Sequence, residues 1–93
     1  GNQPGGNQSD SGSTSSMCRK VTVVQGLTIR QSASPSAALV GGVLTGTTVK
    51  LANPQQSQKD SQGRTWVQIV APKAGWISSG FPEGNLGPAF SCP

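Results

Sequence analysis

The 93-residue chain contains no histidine and no tyrosine, and it has only three acidic residues. A serine or cysteine nucleophile needs a positioned base, and without histidine only a lysine remains for that role. Glycoside hydrolysis needs two carboxylates. After residue 16 only Asp60 and Glu83 carry one, and nothing in the sequence places them together. We therefore expect no catalytic residue and no enzymatic activity in this chain.

Cysteine is also scarce, since only Cys18 and Cys92 are present and they flank the patterned part of the chain. Two cysteines without histidine do not supply the four ligands of a zinc site, so we expect no metal and no cofactor. Either both thiols are free or a disulfide closes nearly the whole domain, which would stabilise it by about 4 kcal/mol in the chain-entropy model. The second alternative predicts a secreted, periplasmic or cell-envelope location.

Long apolar runs are absent, so the sequence predicts no transmembrane segment. Seven basic residues give a net charge of +4, but they are scattered along the chain. These basic residues either form a solvated surface that favours solubility or attract a polyanion weakly. Because no basic stripe alternates with aromatic residues, an anionic cell-wall polymer fits better than a nucleic acid.

The first sixteen residues contain no aliphatic or aromatic side chain. They cannot bury enough apolar surface to offset the entropy lost on ordering. We expect residues 1–17 to be a flexible linker or a segment left over from cloning, and residues 18–93 to form one monomeric domain with a C-terminal tail. A domain of about 75 residues is near the lower size at which one core suffices.

Alternating apolar and polar residues, interrupted by glycine and proline, predict an all-β domain. No stretch has helical spacing over three turns, and β-branched residues dominate. We expect a bulge or tight bend at Gly41-Gly42, a hairpin tip over residues 53–64 and an irregular tail over residues 83–93. Five or six short strands should curl into a partly open barrel. The segments that predict strands are residues 18–24, 27–30, 39–44, 47–52, 65–70 and 74–79.

Several of these segments form a familiar series. It begins with Leu27-Thr28-Ile29-Arg30 and continues with an apolar-Gly-x-apolar-x-x-Gly-x-x-apolar segment over residues 39–49. The most specific element is a strand led by tryptophan, Trp-Val-Gln-Ile at 66–69, followed by Gly-Trp-Ile-Ser-Ser at 75–79. Over residues 21–81 this order resembles the bacterial SH3-like (SH3b) domain family.

The resemblance implies a barrel of five or six strands with its termini close together, which agrees with a disulfide between the two cysteines. Family members are mostly non-catalytic modules of secreted or periplasmic bacterial proteins, and they are thought to recognise peptidoglycan or other envelope components. The sequence departs from the family at residues 31–33, where Ser-Gly-Pro is usual, in the long loop 53–64 and in the added tail. These departures affect the ligand more than the fold.

Two tryptophans are the first candidates for ligand binding. Trp66 alternates with Val67 and Ile69, so it is either exposed, as in a sugar or peptide site, or it caps the open end of the barrel. Trp76 precedes Ile77, and one of these two residues must belong to the core.

The other candidates are polar. Arg30 ends a predicted strand and either binds a carboxylate or anchors the next loop. Ser32, Gln68 and Ser78 are neutral groups near the same predicted end of the barrel, and Phe81 is expected to pack under the tail.

Two functions remain open at this point. The first is a binding module that targets or tethers a larger protein to peptidoglycan or another envelope polymer. The second is a structural or protein-interaction domain that binds a protein partner and no glycan.

Overall fold

The computed structural model describes residues 16–93, so most of the predicted leader, residues 1–15, lies outside the described range. In this range there is no helix, and hence none long and apolar enough to cross a membrane. Eight strands form a single antiparallel sheet, which confirms the all-β prediction. The strands are β1 (Met17–Lys20), β2 (Leu27–Arg30), β3 (Leu39–Val43), β4 (Thr48–Leu51), β5 (Ser57–Lys59), β6 (Thr65–Ala71), β7 (Gly75–Gly80) and β8 (Phe90–Ser91).

The sheet is curled into a barrel-like fold. Its strands follow the order β3-β2-β7-β6-β4-β1-β8, and β5 pairs with β6 beside this path. Although β3 and β1 lie near opposite ends of the order, Val43 of β3 and Val21 after β1 belong to one buried cluster. The Val21 N–H donates to the Thr47 carbonyl (2.9 Å) and the Gly46 N–H donates to the Val21 carbonyl (2.7 Å), which holds the residue after β1 against the turn between β3 and β4.

The core is aliphatic and comes from alternate residues of the strands. In β4, Val49 and Leu51 are buried, whereas Thr48 and Lys50 are exposed. This is the alternation with a period of two that the sequence predicts. Burying one such side chain stabilises the fold by about 1.5–3 kcal/mol. The buried cluster consists of Val21, Ile29, Val43, Val49, Leu51, Val67, Ile69, Ile77 and Leu86.

The first strand is shorter than predicted. It was expected to continue to Val24, but β1 ends at Lys20 and Val24 is 85% exposed in a turn. Gly26 closes this turn with a hydrogen bond to the Val23 carbonyl (3.0 Å) and has a φ of +77°. A side chain at Gly26 would also collide with the Val43 carbonyl, so this turn packs closely against the end of β3.

The predicted bulge lies one residue away from the glycine pair. Gly41 and Gly42 pair regularly with Ile29 and Thr28 of β2. The register then shifts, because the next partner of β2 is Leu39, and Val40 is the additional residue in β3.

Two strands have no counterpart in the sequence prediction. β5 lies inside the predicted hairpin tip, and its three side chains are exposed and polar, so no apolar alternation marks it. β8 lies in the predicted irregular tail, where Phe90 and Ser91 pair with Cys18 and Met17 of β1. Met17, assigned to the leader, is thus the first residue of the sheet.

The tail belongs to the fold. A disulfide joins Cys18 and Cys92, whose Cα atoms are 5.1 Å apart, so the alternative of two free thiols is wrong. Leu86 is buried in the core, and the Gly87 N–H donates to the Lys20 carbonyl (2.8 Å). A disulfide is compatible with an oxidising, extracytoplasmic compartment.

Reducing the Cys18–Cys92 bridge should lower the free energy of unfolding by roughly 4 kcal/mol. The cysteines are 74 residues apart in the sequence, so the reduced unfolded chain regains the entropy of a long open loop. Urea unfolding with and without a phosphine reductant measures the loss. A Cys18→Ser, Cys92→Ser double variant should not respond to the reductant, and an unchanged midpoint for the natural chain would contradict the prediction.

Gly75→Ala should destabilise the domain by about 1–3 kcal/mol through overpacking. A Cβ at Gly75 would lie 2.5 Å from Ile29 Cγ2 and 2.8 Å from the Arg30 carbonyl oxygen, in the contact between β7 and β2. Gly87→Ala is the matched control, because its nearest neighbours would be at 3.7 Å. Equal thermal midpoints for the two variants would show that β7 does not pack on β2 this closely.

Candidate functional site

Five of the six candidate ligand residues lie on one face of the sheet. In the register of β2, β7 and β6, Trp76 is opposite both Arg30 and Gln68, and Ser78 is opposite Trp66. Directly opposed residues of antiparallel strands project from the same face. Since Val67, Ile69 and Ile77 of the intervening positions form the core, this shared face is the outer one.

The sixth candidate, Ser32, lies elsewhere. It is exposed in the loop that follows β2 and does not line the cavity described next. Of Trp76 and Ile77, it is Ile77 that belongs to the core, and Trp76 is half-buried on the outer face.

An open cavity of about 340 Å³ lies on the outer face, and we call it the groove. Three of the six candidates line it, namely Arg30, Trp66 and Ser78, whereas Gln68 and Trp76 lie beside it on the sheet. Its wall combines two guanidinium groups, neutral hydroxyls and amides, and a few apolar side chains. The lining residues are Gln25, Gly26, Leu27, Thr28, Arg30, Pro35, Arg64, Trp66, Ser78, Phe81 and Asn85.

Trp66 is buried, although it is on the outer face. Only 2% of the residue is exposed, so the interpretation as an exposed ligand-binding tryptophan is wrong. The hairpin tip between β5 and β6 reaches the indole, whose Nε1 donates a hydrogen bond to Asp60 Oδ2 (3.0 Å). This contact satisfies the one polar atom of a large apolar side chain, as burial of tryptophan requires.

Asp60 organises the hairpin tip. Its Oδ1 accepts hydrogen bonds from the backbone N–H groups of Gln62 (2.9 Å) and Arg64 (3.1 Å), while Oδ2 accepts the bond from Trp66. The hydrogen bond from the Trp66 indole, together with these backbone bonds and the nearby Arg64 charge, lowers the pKa of Asp60, and partial desolvation opposes this only in part. The carboxylate is therefore occupied by structural contacts.

Arg64 lies over two aromatic rings. Its guanidinium carbon is 4.7 Å from the centre of the Phe81 ring and 5.7 Å from that of Trp66, distances at which a cation is attracted to a ring face. Phe81 is 60% exposed, so the expectation that it packs under the tail is wrong. Arg64 stands two residues before Trp66, so alternation predicts that both lie on the same face, and that signal was available in the sequence. Phe81, directly after β7, and Asn85, in the tail, also line the groove, which no local pattern indicates.

Arg30 anchors the loop that follows β2. Its Nη1 donates to the carbonyl oxygen of Ala37 (3.2 Å), next to a backbone bond from Gln31 to Ala38 (2.9 Å). This is the anchor alternative stated above, and it leaves the other guanidinium N–H groups for a ligand.

The groove carries an excess of positive charge. Among residues 16–93 the only ion pair joins Arg19 to Glu83 (2.9 Å), so Arg30 and Arg64 have no carboxylate within ion-pair distance. Asp60 is near enough for the Arg64 charge to help lower its pKa, but it is not among the residues that line the groove. With hydroxyls, amides and one exposed aromatic ring beside them, these groups can bind a polar or anionic ligand.

Comparison of the chain with protein-family models, curated proteins and solved structures gave no match. The resemblance to the SH3b family, and any function it implies, therefore stays a prediction.

Asp60 should make stability depend on acid pH. Its pKa in the folded state is lower than the ordinary value of 3.8, so its contribution is present above that value and is lost as the pH falls through the lowered one. Urea unfolding between about pH 4 and about pH 2 should show a smaller loss of stability for Asp60→Asn than for the natural chain. Glu83→Gln is the control for the other described carboxylate. A pH profile of Asp60→Asn that matches the natural chain would contradict this assignment.

Proposed function

We propose that this domain is a non-catalytic bacterial SH3-like binding module that attaches a larger secreted or periplasmic protein to peptidoglycan or another envelope polymer through the groove. The observation that carries the proposal is the groove itself. It is a concave site with a few convergent polar groups on an otherwise ordinary small domain, and such sites are where ligands bind.

The position of the groove supports a binding role. Its residues come from five separate parts of the chain: the turn and strand over residues 25–30, Pro35 in the next loop, residues 64–66 at the start of β6, Ser78 in β7, and residues 81–85 after β7. Arg30, Trp66 and Asn85 are each fixed by hydrogen bonds to other elements. A preorganised wall loses little conformational entropy when a ligand binds.

The resemblance to the SH3b family supplies the class of ligand in this proposal. The disulfide agrees with an oxidising compartment, where a bacterial envelope polymer would be accessible. The net charge of +4 favours association with an anionic polymer.

A second candidate, a protein-interaction domain without a glycan ligand, is favoured by an apolar patch at one end of the barrel. Val24 and Leu44 are 85% and 77% exposed in two turns that meet at Gly26. Exposed apolar side chains that lie together often mark protein contacts.

Sedimentation with purified insoluble peptidoglycan tests the first function. Thr28→Trp places a large ring in the groove from an exposed position on β2 and should lower the bound fraction about tenfold or more, because the ligand loses its site. Thr48→Trp makes the same change at an exposed position of β4 outside the groove and should bind like the natural chain.

The outcomes separate the two candidates. If the oxidised natural domain does not sediment with peptidoglycan at low salt, the envelope-binding function is wrong and the apolar patch becomes the better candidate. If Thr28→Trp sediments as well as Thr48→Trp, the domain binds the wall but the groove is not the site.

A further inference from the structure

We infer that the groove recognises a carboxylate that lies next to a secondary amide, as at the C-terminus of a peptide, and that Arg30 and Arg64 bind the carboxylate. This inference rests on the proposed function in taking the groove as the ligand site, and it adds the chemical group that the site selects.

The charge of the wall favours an anion. Arg30 and Arg64 are the charged residues that line the groove, and no acidic residue lines it. The two acids of the described chain already have partners, since Glu83 pairs with Arg19, and Asp60 accepts hydrogen bonds from two backbone N–H groups and from the Trp66 indole behind the wall. An anionic group that enters the groove therefore meets no like charge on its wall.

The planar guanidinium groups of Arg30 and Arg64 favour a planar anion. A guanidinium presents parallel N–H groups that match the two oxygens of a carboxylate. Arg64 is held over Phe81, with its carbon 4.7 Å from the ring centre, so its orientation is restricted before a ligand arrives.

The neutral groups of the groove favour a ligand that carries a hydrogen-bond donor. The Asn85 side chain donates its Nδ2 hydrogen to the Ser78 carbonyl (3.1 Å), which leaves its Oδ1 to accept. An amide N–H next to the carboxylate supplies that donor, whereas a sulfate group has no donor and is bound through acceptor oxygens alone. Gln25 offers a further amide that can pair with a ligand carbonyl.

The size and apolar surface of the groove favour a short segment. A volume of about 340 Å³ is near the low end of ligand sites, which span about 300–1,000 Å³. Phe81, Pro35 and Leu27 provide apolar contact for a small aliphatic side chain. The groove thus accommodates the end of a peptide better than an extended polymer.

The test is an NMR titration of the oxidised domain at low salt with N-acetyl-dialanine and, separately, with its C-terminal amide. The acid should shift the Trp66 indole N–H and the backbone signals around the groove, whereas the amide should bind at least about tenfold more weakly, because it lacks the charge that the guanidinium groups recognise. N-acetylmuramic acid, which also has a carboxylate and a secondary amide, distinguishes a sugar source of this group from a peptide source.

Two variants that each remove one positive charge test whether Arg30 and Arg64 bind the carboxylate. Arg64→Gln should weaken binding of the acid about tenfold or more, and Arg30→Gln should do the same. Lys50→Gln removes the same charge from an exposed position of β4 outside the groove and should leave binding unchanged. Because Arg64 lies over the Trp66 ring, the indole signal itself is expected to move in Arg64→Gln. Unchanged signals of buried core residues such as Val49 and Ile69 in the free variant show that the domain is still folded.

The results for this inference and for the proposed function are distinguishable. If neither acid shifts the groove signals, or if the amide binds as well as the acid, the carboxylate inference is overturned even when the domain sediments with peptidoglycan. If an acid binds with the predicted dependence on Arg64 while peptidoglycan does not sediment, the carboxylate site stands and the envelope-binding function fails.

Discussion

A single aliphatic core shared by strands from both ends of the sheet is the constraint on which the fold depends. So short a domain has too few large apolar residues for two layers, so its one sheet must curl around the core that it forms. Val21 near one end of the strand order and Val43 near the other meet in that core. The disulfide and Leu86 then bring the tail against β1, which covers an edge that would otherwise be open.

The curled sheet leaves an outer face, and the burial of Trp66 shapes that face into a site. An indole on the outside of a small barrel must be covered by other elements and must find an acceptor for its N–H. The hairpin tip supplies both, since Asp60 accepts the hydrogen bond and Arg64 lies over the ring. Phe81, directly after β7, and Asn85, in the tail, lie on another side, and the space that remains between these elements and β2 is the groove.

Local alternation was enough to predict most of the sheet. β4 buries every second residue, and in β6 the core residues Val67 and Ile69 alternate in the same way, a pattern that is visible without any knowledge of the partners. β5 and β8 were not predictable in this way, because one consists of exposed polar residues and the other pairs only two residues. They are strands because of the neighbours with which they pair, and the sequence does not encode that locally.

For the candidate site, the sequence predicted the strand face of a residue but not its burial or its tertiary contacts. Alternation correctly placed Trp66 and Gln68 on the face opposite Val67 and Ile69, but the burial of Trp66 depends on a hairpin tip that folds back over it. The tail residues of the groove were missed because their position follows from tertiary contacts, such as the hydrogen bond from Asn85 to the Ser78 carbonyl.

The distribution of acids explains why the groove keeps its charge. A guanidinium near buried surface is commonly paired with a carboxylate, and Asp60 is only four residues from Arg64. Asp60 instead accepts hydrogen bonds from the Arg64 and Gln62 backbone and from the Trp66 indole, so its two oxygens are directed at the structure of the tip. Arg64 is held by ring contacts that restrict its position without cancelling its charge. The interactions that bury Trp66 therefore also leave a positioned cation at the groove, and fold and site follow from the same few contacts.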